Sequence, residues 1–279
     1  MSFYKKFFNP TPLFHKRHSV IQRIMDMPSD IFNFLRYYSH RIGLTRLQEY
    51  DRIDTLKNIH QGKKAFLIGN GPSVKIEELD RIYNTEFVTF CANRIHLAYS
   101  EMKFRPDYVV SADSQVIQDF GQEIVNSNNG NVCLVYKKKS NISGNFFSFH
   151  LSKRISLKFS TNIYKDVTLS GGTLFAAMQI AYHMGIRQFY LYGVDHDFKY
   201  EERNPSDGAG DASGDGNHFI KGYRSGKTWF APRYELVEQG FKKADDFLRT
   251  EGGFVVNATH GGKLEVLKRI SLVEVIGES

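Results

Sequence analysis

The stretch that decides the fold is AFLI-GNGPSV, residues 65–74. Its first four residues predict a buried strand, and residues 75–83, with apolar side chains recurring on one face, predict a short helix. A strand, a glycine turn and a helix N-terminus in this order favour phosphate binding, because the glycines let the backbone approach and the first helical N–H groups point at the anion. Pro72 and Ser73 suit the start of a helix, with Ser73 as its N-cap. The turn matches neither GxGxxG nor GxxxxGK[ST], so a purely structural turn remains an alternative.

Strand and helix patterns alternate from residue 63 onward. Short β-branched or aromatic runs predict six strands, Lys64–Ile68, Phe87–Cys91, Tyr108–Ser111, Val132–Tyr136, Gln188–Tyr192 and Phe254–Asn257. Amphipathic stretches predict four helices, Val74–Tyr83, Ser114–Ser127, Gly172–Met184 and Tyr234–Thr250. This alternation predicts an α/β fold with a Rossmann-like, mostly parallel sheet and helices on both faces. Ligands bind such sheets beyond the carboxyl ends of the strands.

The composition bounds the class of protein. A chain of 279 residues with 41% hydrophobic and 24% charged residues is typical of a water-soluble globular protein. No apolar run approaches the roughly 20 residues of a membrane span, and the N-terminus lacks an apolar signal-peptide core. Cys91 and Cys133 lie in strand-like runs, which favours buried free thiols over a disulfide. We therefore expect a cytoplasmic protein.

Positive charge is concentrated at the N-terminus. Residues 1–46 hold eight Lys or Arg against two Asp, which accounts for +6 of the net charge of +7, and they also hold nine Phe or Tyr. This mixture suits an anionic membrane surface at the inner face of the membrane, or an arm packed on the main domain with its charges solvated. Nucleic acid is the weakest alternative, because the charge does not extend across the predicted sheet.

The arm is expected to be helical. Start and stop signals predict a helix over residues 29–42, with Ile31, Phe34, Leu35, Tyr38 and Ile42 on one face. We divide the chain into a basic, aromatic, helical arm over residues 1–60 and a Rossmann-like domain over residues 61–279. A segment rich in Gly, Asp and Ser, residues 199–217, is predicted to be a lid within that domain.

Polar residues follow several predicted strands. Asn70 and Asn93 could contact a ribose, base or phosphate, or cap their own turns. Asp113 could bind a metal or a sugar hydroxyl, or act as an N-cap. The turn Ser170-Gly171-Gly172-Thr173 could be a second anion site or a permissive helix start.

The later polar residues include the candidate catalytic group. Asp195, His196 and Asp197 form a compact cluster that could hold Mg²⁺. His218, between the lid and an aromatic segment, is placed as a general base. Tyr223 follows closely and could contact a phosphate or a sugar face.

The ordered set GNGPS, CANR, SGG, LYGVDHD and NHF resembles two related groups over residues 63–270. One is the MptE-like domain, named for 6-hydroxymethylpterin pyrophosphokinases. The other is the bacterial sialyltransferases that use CMP-sialic acid. The later residues, from Asn257-Ala258-Thr259 to Arg269, look more like the MptE-like group. The sialyltransferases carry tyrosines that assist phosphate departure, whereas this chain has His196 after Asp195, and Phe198 lacks a hydroxyl.

The resemblance implies roles for individual residues. By similarity to the sialyltransferases, His218 is the base that deprotonates the acceptor. The residues implied in nucleotide or donor binding are Gly69, Asn70, Gly71, Pro72, Ser73, Asn93, Asp113, Ser170, Gly171, Gly172, Asp195, His196 and Tyr223.

Three functions follow from this reasoning. The first is a glycosyltransferase of bacterial surface-polysaccharide synthesis, with a CMP-linked donor, a glycan or glycolipid acceptor and no metal. The second is a diphosphate transfer from ATP to a pterin-like alcohol, which needs Mg²⁺ held by Asp113, Asp195 and Asp197. The third is a non-catalytic nucleotide-binding protein.

Overall fold

The computed structural model describes residues 20–136, 141–152, 157–170, 172–198, 201–204, 209–211, 215–224, 227 and 233–277. Side chains are described within these ranges except at 20–30 and 201–215.

The centre of the protein is a seven-stranded sheet in which every pair of neighbouring strands is parallel. The chain order of the strands is β1 (Lys64–Ile68), β2 (Val88–Ala92), β3 (Tyr108–Ser111), β4 (Val132–Tyr136), β5 (Phe147–His150), β6 (Gln188–Tyr192), the hairpin strands β7 (Glu201–Asn204) and β8 (Ala209–Asp211), and β9 (Phe254–Asn257). The α/β prediction is confirmed, with β2 displaced by one residue and β5 missed.

Seven helices are present in the described residues. They are α1 (Val20–Arg41), α2 (Gln48–Asp54), α3 (Ile76–Tyr83), α4 (Ser114–Ser127), α5 (Thr173–His183), α6 (Tyr234–Thr250) and α7 (Leu272–Ile276). The predicted start of α3 is wrong: the helix begins at Ile76 after Lys75, because the Ser73 side chain bonds to Asp195 instead of capping the helix. The predicted start of α1 is also wrong, since the helix runs through Pro28.

The alternation of side chains along each strand builds two apolar layers. Ala65 and Leu67 of β1 belong to one buried cluster, and Phe66 and Ile68 belong to another. The predicted free thiols are confirmed, because both cysteines are buried and unpaired. A central strand buried on both faces explains why β1 is apolar almost throughout.

The strand order places a crevice at the centre of the sheet. From one edge to the other the order is β5-β4-β3-β2-β1-β6-β9. Strands β1 to β5 therefore lie side by side in chain order, and the next strand of the sheet, β6, lies on the other side of β1. This reversal is the topological switch point at which open α/β sheets bind ligands.

The predicted lid contains regular structure where it is described. Strands β7 and β8 pair antiparallel, and residues Asp215–Asn217 form a short 3₁₀ helix. Its role as a lid stays a prediction, and the remaining lid residues lie outside the described part of the chain. Among the described helices, none is both long enough and apolar enough to span a membrane.

Candidate active site

A cavity of about 180 Å³ lies at the carboxyl ends of β1 and β6. Many of the residues singled out in the sequence line it. They are Gly69, Asn70, Gly71, Pro72, Asn93, Gly172, Asp195, His196, Asp197, His218 and Tyr223. The switch point of the sheet therefore brings together groups that are up to 154 residues apart in sequence.

The turn after β1 is bonded mainly to the loop after β6. The N–H of Gly69 donates to the Tyr192 carbonyl at 2.8 Å, and that of Gly71 donates to the Gly193 carbonyl at 3.0 Å. The backbone N–H and hydroxyl of Ser73 donate to the two carboxylate oxygens of Asp195, at 3.1 and 2.8 Å. These donors were predicted to point at an external anion. In the structure the protein's own carboxylate and carbonyls accept their hydrogen bonds.

Asp195 is thus a half-buried residue that supports the turn. Burial raises the pKa of this carboxyl group, and the two hydrogen bonds from Ser73 oppose the rise. A Cβ atom on Gly71 would lie closer than 3.0 Å to this carboxylate and to the Gly193 carbonyl oxygen. Glycine at position 71 is therefore required for the approach of the β6 loop.

Asn70 offers an acceptor to a ligand. Its side-chain amide donates to the Ala92 carbonyl at 2.7 Å and to the Tyr223 hydroxyl at 3.1 Å. The other polar side-chain atom, Oδ1, is buried and has no hydrogen-bond partner among the described residues, and Asn70 as a whole is only 8% exposed. A buried acceptor left without a donor is costly, which makes Oδ1 a candidate contact for a ligand N–H or O–H group.

His218 is held against the same turn. Its ring stacks on Tyr223, with ring centroids 3.8 Å apart and planes inclined by 12°. The neighbouring N–H of Phe219 donates to the Asn70 carbonyl at 3.1 Å. Burial raises the pKa of Tyr223 to about 12, so its phenol stays protonated at neutral pH. These contacts place an imidazole at the wall of the cavity on a fixed support.

A buried arginine, which the sequence analysis did not select, anchors this segment. Arg94 donates to the Tyr223 carbonyl oxygen, pairs with Glu123 at 2.9 Å and lies 3.7 Å from the centre of the Phe120 ring. Glu123 and Phe120 belong to α4. The signal available in the sequence was an arginine directly after a strand and its turn, in CANR. Arg94, just after the end of β2, thus contacts both α4 and Tyr223, the residue on which His218 stacks.

The β6 loop continues the cavity wall through His196 and Asp197. His196 has a positive φ of 53° and lies 3.2 Å from a carboxylate oxygen of Glu238 on α6. Burial lowers the pKa of His196, although the carboxylate acts in the opposite direction. Asp197 forms an ion pair with Lys263 at 2.7 Å. Both side chains thus contact residues that come later in the chain, Glu238 and Lys263.

Other predicted site residues lie elsewhere. Asp113 caps α4, with its side chain accepting from the N–H groups of Gln115 and Val116 at 2.8 and 3.3 Å. Ser170 is buried, and a Cβ atom on Gly240 of α6 would lie closer than 3.0 Å to it. Neither residue lines the cavity. Ser73 is also absent from the lining and acts through Asp195, and Gly171 lies outside the described residues.

The three carboxylates proposed for Mg²⁺ do not form one donor set. Asp113 is a helix cap, Asp195 accepts two bonds from Ser73, and Asp197 is paired with Lys263. Mg²⁺ prefers several convergent oxygen ligands in near-octahedral geometry. These three carboxylates therefore do not fit a dedicated magnesium site.

The thermal midpoint of the protein is expected to fall as the pH drops below 6.5. Burial lowers the pKa of His60, His96, His183 and His196 from the usual 6.5. The unfolded chain then binds more protons than the folded one, so stability rises with pH through this window. Thermal unfolding monitored from about pH 8 down to about pH 5.5 tests this. An unchanged midpoint would contradict it.

The fold and the cavity define a class of protein, a Rossmann-like α/β protein with a cavity at the switch point of its sheet. The family described as 6-hydroxymethylpterin diphosphokinase MptE-like matches residues 43–201, more than half of the chain. The chain belongs to this MptE-like family, whose description is compatible with a nucleotide-related transferase. No curated protein gave a significant match.

Proposed function

We propose that this protein is a glycosyltransferase that moves a sugar from a nucleotide-activated donor to a hydroxyl of a glycan or glycolipid, in the synthesis of a bacterial surface polysaccharide. The observation that carries the proposal is the imidazole of His218 at the wall of the switch-point cavity, stacked on Tyr223. A histidine titrates near neutral pH and is the commonest general base.

The reaction in this proposal is a single inverting displacement. His218 takes the proton from the acceptor hydroxyl as its oxygen attacks the anomeric carbon. The bond from that carbon to the donor phosphate breaks, and the nucleotide leaves with the bonding electrons. The stack on Tyr223 and the bond from Phe219 to Asn70 hold the base in one orientation.

Two features support a nucleotide as the leaving group. The N-terminus of α5 opens at the cavity through Gly172 and Thr173, and a helix N-terminus favours an anion. The unpartnered Oδ1 of Asn70 can accept from a ribose hydroxyl or a base amino group. The similarity of GNGPS and NHF to the sialyltransferases favours CMP as the nucleotide and a sialic-acid-like sugar.

The family description favours a second candidate, diphosphate transfer from ATP to a pterin-like alcohol. That reaction needs Mg²⁺, and the separate positions of Asp113, Asp195 and Asp197 weigh against it. The two candidates differ in both nucleotide and metal requirement, so a binding experiment separates them.

Thermal unfolding of the purified chain with CMP, UDP or ATP, each with and without Mg²⁺, tests the proposal. We expect CMP to raise the midpoint without Mg²⁺, because ligand at about 100 times its Kd adds about 2.7 kcal/mol of stability. Transfer from a CMP-sugar, unaffected by EDTA, is the expected activity. A shift with ATP that requires Mg²⁺ would favour diphosphate transfer, and CMP binding without turnover of any CMP-sugar would favour the non-catalytic alternative.

A further inference from the structure

Helix α1 exposes an unusual amount of apolar surface. Of the eleven large apolar side chains exposed in the described part of the chain, seven lie between residues 31 and 44 and are 43–75% exposed. We name these seven the N-terminal apolar surface, which comprises Ile31, Phe32, Phe34, Leu35, Tyr38, Ile42 and Leu44. A contiguous apolar patch of this kind marks an interaction surface in a folded protein.

The other face of α1 fixes the orientation of this surface. Tyr37 stacks on Tyr164 with ring centroids 5.4 Å apart, and Arg36 pairs with Glu49 at 2.6 Å. Asn33 is buried. The helix is thus attached to the rest of the protein through its more polar face. The five apolar residues predicted to share a face do so, and that face points to solvent.

The part of the sequence that carries this surface is basic. Residues 1–46 as a whole carry a net +6, although Arg36 and Arg46 are paired with Glu49 and Asp51. Phe32, Phe34 and Tyr38 add aromatic rings, which favour the region between lipid headgroups and acyl chains. A helix that exposes apolar and aromatic side chains within a basic part of the sequence suits the surface of an anionic membrane.

A second copy of the chain fits this surface less well. A two-fold interface places the same patch of each copy against the other. The net charge of +6 on residues 1–46 of each copy would then be brought together, which is unfavourable. Charge complementarity therefore favours phospholipid headgroups over self-association.

We propose that the N-terminal apolar surface docks the protein on an anionic bilayer, with α1 lying in the plane of the membrane interface. The apolar side chains enter the headgroup boundary, and the net positive charge of residues 1–46 attracts the anionic headgroups. The inference is independent of the proposed sugar transfer, since it uses no residue of the cavity.

Flotation of the full chain with vesicles tests this proposal. We expect binding to vesicles of phosphatidylcholine with phosphatidylserine and little binding to phosphatidylcholine alone. The double variant Phe32→Ser/Leu35→Ser should lower the partition coefficient at least about tenfold, because two large apolar side chains no longer leave water. The matched control is Ile59→Ser/Tyr83→Ser, whose side chains are 48% and 50% exposed elsewhere and whose loss should leave binding unchanged.

A second pair of variants tests the contribution of positive charge to membrane binding. Arg46 is exposed and paired with Asp51, and Lys242 of α6 is exposed and paired with Asp246. Arg46→Glu should lower binding to the anionic vesicles about fivefold or more, and Lys242→Glu should not. Absence of binding, equal binding to both vesicle types, or full binding by Phe32→Ser/Leu35→Ser would overturn the proposal. So would a lipid-free dimer, detected by light scattering, that this double variant abolishes.

Discussion

Replacing His218 with alanine is expected to lower the rate of sugar transfer by about 10²–10⁴-fold, the usual contribution of a general base. Nucleotide binding should be retained, because the proposed donor contacts come from Asn70 and the N-terminus of α5. The measurements are the initial rate of transfer from a CMP-sugar at saturating donor and the midpoint shift produced by CMP.

A second histidine outside the cavity provides the control. His260 lies 2.8 Å from a carboxylate oxygen of Glu78 and does not line the cavity. His260→Ala should transfer sugar at close to the original rate. Full activity of His218→Ala would remove the assignment of the base. Loss of both transfer and CMP binding, with a lowered thermal midpoint, would show instead that the ring has a structural role under Tyr223.

A large loss of stability is expected for Gly69→Ala. A Cβ atom at this position would lie closer than 3.0 Å to the carbonyl oxygen of Gly193. That obstacle is backbone, which cannot rotate away as a flexible side chain can. We expect a loss of about 3 kcal/mol, which lowers the thermal midpoint by roughly 6–10 °C in a domain of this size.

Gly172→Ala is the matched control for this variant. Gly172 also lines the cavity, but its backbone is extended, with φ −176°, and no atom lies within 4 Å of a Cβ atom built there. We expect its thermal midpoint to equal that of the unaltered protein. Equal midpoints for Gly69→Ala and Gly172→Ala would contradict the close packing of the β1 turn on the β6 loop.

The sheet was largely predictable because its strands are buried on both faces. Continuous apolar runs such as Lys64–Ile68 and Val132–Tyr136 have bounds that match the prediction. Strand β5 was missed because Phe147–His150 is a short edge strand with polar residues between its aromatic rings and only one buried side chain. Periodicity is a weak signal for such a strand.

The position of candidate residues was predictable, but their bonding was not. The rule that ligands bind at strand ends predicts a site at this edge of the sheet. In the structure Asn70, Asp195 and His218 line one cavity there. The rule could not show that Ser73 bonds to Asp195, because that contact joins residues 122 apart in sequence. Asp113 illustrates the same limit, since an aspartate after a strand is equally suited to a ligand or to a helix cap.

The sequence also could not predict which face of α1 packs against the rest of the protein. The spacing of Ile31, Phe34 and Tyr38 predicts one apolar face but carries no information on what covers it. The stack of Tyr37 on Tyr164 and the pair of Arg36 with Glu49 show that the opposite face is the one attached to the protein.

The burial of Arg94 gives the two charged regions of this protein different responses to dissolved salt. Mobile ions screen exposed charges over a Debye length of about 8 Å at physiological ionic strength, but they act weakly on a buried pair. The side chain of Arg94 is 4% exposed, whereas that of Arg46 is 90% exposed. Ionic strength therefore acts on exposed charges such as Arg46 and leaves the contacts of Arg94 largely intact, so that the proposed attachment to a membrane and the shape of the cavity would be controlled separately.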